Sequence, residues 1–389
     1  MLYTRALVGS LAITIAIHVA AYMLNAVLPF RATELGASGT QVGLLFSVTA
    51  GVAMFLRPVV GGWVDRFGAR TVLVPGVAVL ALSSLGFHAA GTPGALILLM
   101  AGVGLANGLV STAAGVLAAQ ATAPAHRGEA LGIYYLATSL AVAVAAPAGI
   151  ALLRAGGIAW PFYLVTVLAA SILVFTLTLT PPATGRAAPP GGGFRLWSRH
   201  ALGAAGVMVL ITLGQSSIIG FVPLYAERHG LGEWIGWFFA LYSAWMILCR
   251  AVLRGLSDHV GRAQVIAPAM AATVLGFLVL ALPPTGLSLL AAALLLGSGA
   301  SLTYPTMIAL LVDRTPDQER GLAMGTLSAS WDVGVVIGSA LVGVVIERLS
   351  FHAGFAVGAL GASVGLLTFV LLERARARRP AYPRPAAAV

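Results

Sequence analysis

A succession of apolar runs, each long enough to cross a bilayer as a helix and separated by short polar gaps, constrains this chain most. They fall near 7–30, 40–62, 71–90, 94–120, 128–153 and 158–180, and after a break near 201–226, 233–256, 263–282, 287–312, 321–346 and 351–372. A hydrocarbon core about 30 Å thick takes about 20 residues of helix. Lipid offers no partner to a backbone N–H or C=O, so each run must satisfy its own. The expected fold is therefore an all-α membrane protein with twelve transmembrane helices. Composition removes the soluble alternative: 59% of the 389 residues are hydrophobic and 9% charged, against about a quarter charged in soluble domains. The first run counts as a span rather than a signal peptide, because Met1–Arg5 makes a poor charged region and the run has a counterpart in the second half.

The net charge of +10 would suit a nucleic-acid partner were its placement not that of a topology signal. With the N-terminus inside, all 22 basic residues, every one arginine, fall on the cytoplasmic side except Arg31, Arg154, Arg228 and Arg348. Such a bias reads as a multi-pass inner (plasma) membrane protein with both termini cytoplasmic. The stretch Glu373 to Arg379 is placed to meet anionic lipid head groups, each arginine contributing about 1 kcal/mol near the surface. Cys249 is the single cysteine and lies in an apolar run, which leaves no disulfide framework and no multi-cysteine metal site. No nucleophile–base–acid constellation, phosphate-binding glycine loop or metal-ligand cluster appears, so no enzyme, cofactor or metal is expected.

Pro181 to Gly193 reads as a flexible, helix-breaking linker near the middle of the chain. It divides the sequence into a six-helix bundle at 1–180, a cytoplasmic linker at 181–199, a second bundle at 200–373 and a basic, proline-rich tail at 374–389. An offset of 193 lays Arg57 on Arg250, Gly62 on Gly255, Asp65 on Asp258, Gly68 on Gly261, Arg127 on Arg320 and Gly132 on Gly325. An even number of spans per repeat makes the repeats parallel and pseudo-symmetric, with a solute site between them near mid-membrane.

Gly61-Gly62-Trp63-Val64-Asp65-Arg66-Phe67-Gly68-Ala69-Arg70 resembles the signature loop of the major facilitator superfamily (MFS), Gly-x-x-x-Asp-Arg-x-Gly-x-Arg. A weaker copy runs from Gly255 through Asp258 to Gly261-Arg262, and His126–Gly132 and Glu319–Gly325 look like the family's other cytoplasmic loop pair. The resemblance covers essentially the whole chain and implies secondary transport by alternating access. Gly61, Asp65, Arg66, Gly68, Arg70, Asp258 and Arg262 then form the gating loops: glycines allow tight turns, and fixed charges pair across to the other half or to helix ends.

Ala145-Ala146-Pro147-Ala148-Gly149 and Asp332-Val333-Gly334 to Gly338 are similar to elements of bacterial proton-coupled exporters of drugs, sugars and metabolites. Leu98 stands where many proton antiporters carry an arginine. The implied function is proton-coupled efflux of a small organic solute, an antiporter working as a monomer among membrane lipids. An importer or facilitator of the same fold, or a membrane sensor or lipid-handling protein without soluble cargo, remain alternatives.

In this fold the first, fourth, seventh and tenth helices resemble the cavity-lining set. Thr14, His18, Tyr22 and Asn25 share one face of the first. Asn107 and Ser111 come from the fourth, Gln215 from the seventh and Tyr304 from the tenth. His18, Tyr22, Asn25, Asn107, Ser111, Gln215 and Tyr304 are the candidate solute contacts, although such groups also tie helices together at about 0.6 kcal/mol each. Two charges lie deep in spans. Asp332 sits twelve residues into the eleventh from Arg320 and Arg57 eight residues before Asp65 in the second, and a carboxylate at such depth must be paired, protonated or wet. Asp332, Arg57 and its repeat partner Arg250 are the candidates for proton coupling at the interface between halves.

Overall fold

The computed structural model describes residues 5–120, 127–178, 197–253, 260–316 and 319–377. Asp258, linker residues 181–196 and the tail beyond 377 lie outside them.

The first half holds α1 (Arg5–Glu34), α2 (Gly39–Phe67), α3 (Ala69–Ala89), α4 (Pro93–Gln120), α5 (Arg127–Gly156) and α6 (Ala159–Thr178). In the second half, α7 (Leu202–Thr212), α8 (Gln215–Gly220) and α9 (Val222–Arg228) follow one another, then α10 (Trp234–Val252), α11 (Arg262–Leu280), α12 (Gly286–Asp313), α13 (Arg320–Arg348) and α14 (Phe351–Ala377). No strand occurs among the described residues. Eleven described segments are long and apolar enough to span a membrane, and α5 adds the shorter apolar stretch Leu140–Gly156. Large apolar side chains such as Phe55, Leu98, Trp160 and Leu287 stay exposed, as expected of helices that meet lipid rather than water.

Two faces are named here by their described connectors, the Gly36 face, with the α1–α2 turn, and the Gly68 face, with the α2–α3 corner. One apolar core fills the first half, around Ile17, Leu24, Leu73, Val77, Met100 and Val110. The second half has two. One joins Tyr225, Phe238, Phe239, Phe277 and Phe355 to Ala143, Ala146 and Ile150 of α5, and the other gathers Met208, Ile211, Met270, Met307 and Leu327. The halves meet along two seams, α2 with α13 and α5 with α10.

Two local outcomes differ from the sequence reading. The signature stretch is not an open loop: α2 runs on through Phe67, past the apolar run, and Gly68 alone separates it from α3. Gly68 turns the corner at φ 84°, ψ 152°, its N–H donating to the Val64 carbonyl at 2.8 Å. Gly261 repeats that geometry at φ 102°, ψ 139° before α11. Side-chain-bearing residues almost never adopt this conformation. Gly68→Ala should therefore cost about 1–3 kcal/mol, read as a lower unfolding temperature in detergent, whereas Gly62→Ala in helical, open surroundings should be neutral or mildly stabilising.

The second difference is the seventh span, expected as one helix over 201–226. It breaks at Leu213–Gly214 and again at Phe221. A Cβ on Gly214 would sit 2.9 Å from the Gly358 Cα of α14 and 2.5 Å from the Phe277 ring of α11. Close packing from both neighbours thus holds the chain where it bends.

Candidate functional site

The break places Gln215 at the start of α8, opposite α1 and α10. On α1, His18 is half-buried and its Nδ1–H donates to the Thr14 carbonyl at 2.8 Å. A carbonyl only accepts, so this bond fixes the proton on Nδ1 and leaves Nε2 to accept or to take a second proton. One turn on, Tyr22 lies within electrostatic reach of Arg57 and Asp332, and His18 within reach of Arg57. The Tyr242 hydroxyl of α10 lies beside Gln215 and near Tyr22 and Arg250. Farther along α1, the Asn25 Oδ1 is buried without a hydrogen-bond partner, as is the Thr14 hydroxyl.

At the centre of this group Arg57 Nη1 donates to Asp332 Oδ2. The pair joins α2 of one half to α13 of the other. Asp332 is 6% exposed, while 32% of the Arg57 side chain is open, so the carboxylate is the more deeply buried partner. Arg250, on α10, donates through Nε to the Ser301 carbonyl of α12 at 3.3 Å. His18, Tyr22, Gln215, Tyr242, Arg57, Arg250 and Asp332 therefore form one mixed polar and aromatic cluster between the halves.

Other expected contacts are committed elsewhere. The Ser111 hydroxyl donates to the Asn107 carbonyl of its own helix at 2.6 Å, and the Ser111 carbonyl accepts from Tyr134 at 2.8 Å. The second of these bonds ties α4 to α5. Tyr304 meets Ser328 at 3.0 Å and packs edge-on against Trp331, ring centroids 5.2 Å apart, so it joins α12 to α13 within the second half. Trp245 donates to the Ser298 hydroxyl at 2.8 Å.

On the Gly68 face, Arg70 donates to the Leu177 carbonyl at the end of α6, where the helix dipole places partial negative charge. Arg66 is exposed and lies over the Phe67 ring, 5.2 Å from its centroid. Arg262 pairs with Asp313 at 2.8 Å, joining the start of α11 to the end of α12. Gly61 stands in open space. The Asp65 side chain, like Asp258, is outside what the structure describes.

Sequence reasoning missed a contact at the Gly36 face: the Thr40 N–H of α2 donates to Glu347 Oε2 of α13 at 2.8 Å. A signal was present in the four-residue spacing of Gly39, Gly43 and Ser47 on α2 against Ser339, Gly343 and Glu347 on α13.

The family profile described as Major Facilitator Superfamily matches residues 11–288 and 234–388. The chain belongs to the major facilitator superfamily. Among relatives of this MFS transporter is the staphylopine export protein of Staphylococcus aureus (strain Mu50 / ATCC 700699), 22% identical over 383 residues and aligned across 94% of each chain. Another is the MFS-type transporter YhhS of Escherichia coli (strain K12), 26% identical over 369 residues, covering 91% of this chain and 88% of that one. Solved structures of the same fold include the nucleoside transporter NupG, with TM-score 0.73 at 13% identity over 97% of this chain and 100% of that chain. The human organic anion transporter MFSD10 (TETRAN) aligns with TM-score 0.67 at 16% identity over 94% of this chain and 100% of that chain.

Proposed function

We propose that this MFS transporter exports a small organic solute across the bacterial inner membrane by alternating access in exchange for protons, working as a monomer with both termini in the cytoplasm. The supporting observation is the Arg57–Asp332 pair, which ties the two halves together deep in the spans beside His18 and Tyr22. While Asp332 is ionised, Arg57 compensates a charge that would otherwise be costly away from water. A proton on Asp332 neutralises the carboxylate, the arginine relaxes toward its open side, and the seam loses its ionic tie. His18, Tyr22, Asn25 and Gln215 are the leading solute contacts, with Asn107, Ser111 and Tyr304 shaping the walls. The bundles at 1–180 and 200–373 move against each other, joined by the linker at 181–199 and followed by the tail at 374–389. Arg250 tunes the charge of the cluster, and the gating residues around Gly68 and Gly261 hold the corners.

Export as the direction rests on the likeness to a protein whose name is that of an exporter, and the orientation on the arginine bias. Liposomes holding the protein and a proton-sensitive dye, challenged with drugs, sugars, amino acids and metallophores, should report proton flux opposite to the movement of one solute class. Solute and protons moving together, or solute moving without protons, would instead identify an importer or facilitator. A reporter active only outside the membrane and fused after His200 should give no signal. His18→Gln should preserve insertion but weaken transport or flatten its pH dependence; unchanged transport between about pH 6 and 8, the range in which histidine changes charge, would remove His18 from the mechanism.

A further inference from the structure

The α2–α13 seam is tightly closed at one end. Near the Gly36 face the two backbones touch. A Cβ on Gly39 would lie 2.9 Å from the Gly343 carbonyl oxygen, one on Gly343 would lie 2.6 Å from the Gly39 carbonyl oxygen, and one on Gly43 would overlap the Ser339 carbonyl. The Ser47 hydroxyl continues the seam by donating to the Val336 carbonyl at 2.9 Å. Beyond the Arg57–Asp332 pair, among the described residues, Gly61 and Gly62 on α2, and Gly321 and Gly325 on α13, have nothing within 4 Å of a built Cβ. Helices zipped in this way at the Gly36 face describe a carrier shut on that side.

Glu347 stands at the end of that zip, one turn past Gly343. Its carboxylate accepts the Thr40 N–H at 2.8 Å and lies beside the Ser38 and Thr40 hydroxyls and the charge of Arg348. Thr40 is in the first turn of α2, where helix amides lack an internal partner and the dipole favours negative charge. Ser38 and Gln41 already form a capping box there, and Glu347 adds a third acceptor from the opposite half. The Gly36 face cannot open with this bond intact, because its partners belong to the two halves that must separate.

We infer that Glu347 is the latch of the Gly36 gate, a carboxylate that caps the partner half's helix only in the shut state and so sets how much of the population is open there. The inference goes beyond the function proposed above: it requires two halves that rock apart, not proton coupling, and its test uses no solute.

In a Cys249→Ala background, spin labels at Ala89→Cys and Leu282→Cys, exposed on the Gly36 face of opposite halves, report the gate as a distance distribution in liposomes. Glu347→Gln should raise the ratio of long to short distances about two- to fivefold, the change that corresponds to losing a carboxylate from a helix N-terminus. Glu34→Gln, which alters a nearby carboxylate paired with Arg31 in its own helix, should leave the ratio unchanged. Gly43→Ala, whose methyl would meet the Ser339 carbonyl, should shift the distribution in the same direction as Glu347→Gln and tests the seam by a route that does not touch the carboxylate. An unchanged distribution in a folded Glu347→Gln protein, or an equal shift in Glu34→Gln, overturns the latch. Should Glu347→Gln fail to fold, a Gly43→Ala protein that keeps the wild-type distances overturns it as well.

Discussion

Asp332→Asn is expected to abolish proton-driven transport and leave a folded protein. Asparagine keeps the volume and one acceptor for Arg57 but cannot take up or release a proton. Its effect on folding should be small, because the arginine left behind is partly open and long enough to reach a wetter level. The reverse truncation is a different experiment. Arg57→Ala strands a carboxylate that is 6% exposed, and breaking a buried pair from that side costs about 3–5 kcal/mol unless the group protonates. Arg57→Ala should therefore unfold at a lower temperature than Asp332→Asn, with the gap narrowing as pH falls. Exchanging the two charges should recover part of the transport that Arg57→Asp alone destroys. Dye-reported proton flux and detergent unfolding curves measure both effects, and a Asp332→Asn protein that still couples normally would end the proposal that this pair senses protons.

Among glycine substitutions the largest effect on stability is expected at Gly338. A Cβ there would overlap the Leu213 carbonyl oxygen and lie 2.6 Å from both Leu213 C and Leu213 Cα, while one on Gly334 would lie 2.6 Å from the Val209 carbonyl oxygen. These glycines, one turn apart on α13, seat it against the seventh span beside its break. Backbone atoms cannot rotate aside as a side chain can, so Gly338→Ala must push α7 away. Overpacking of this kind costs about 1–3 kcal/mol or more. The same substitution at Gly325, also on α13 but in open space, removes backbone freedom from the unfolded chain and should be neutral or slightly stabilising. Unfolding temperatures of the two alanine variants test the contrast, and equal values would show that α7 yields to α13 without resistance.

Much of this architecture is legible in the sequence because a membrane reduces the choices. Each run predicted from apolar length has a helix or a broken helix at its place, and 263–282 against Arg262–Leu280 shows how narrow the differences are. Where they widen, the cause is tertiary. Gly214 carries no signal distinguishing it from the many glycines that sit inside intact helices; Phe277 and Gly358 pressing on it explain why the seventh span breaks there. Asp65 and Arg66 read as loop because they end an apolar run, yet a helix can continue past the hydrocarbon, and α2 does. Depth within the spans marked Arg57 and Asp332 as a pair to look for, and spacing put His18 and Tyr22 on a shared face. Ser111 looked equally suitable, but a hydroxyl in a helix can satisfy itself on the preceding turn, and Ser111 does so. Glu347 was overlooked for the opposite reason: a carboxylate at a helix end resembles any wetted residue until the other half's amide is seen beside it.

The single-residue corner at Gly68 has a mechanical consequence. One residue bridges at most about 3.8 Å, so α2 and α3 share no slack: neither can slide or tilt by more than a bond's reach without dragging the other. Arg70, two residues past the corner, fastens the same joint to the end of α6. Whatever displaces the far end of α2 is therefore delivered to α3 and α6 as a lever delivers it, without loss in a pliant connector. Labels placed on α2, α3 and α6 should keep their mutual distances through the transport cycle while every distance to α13 changes.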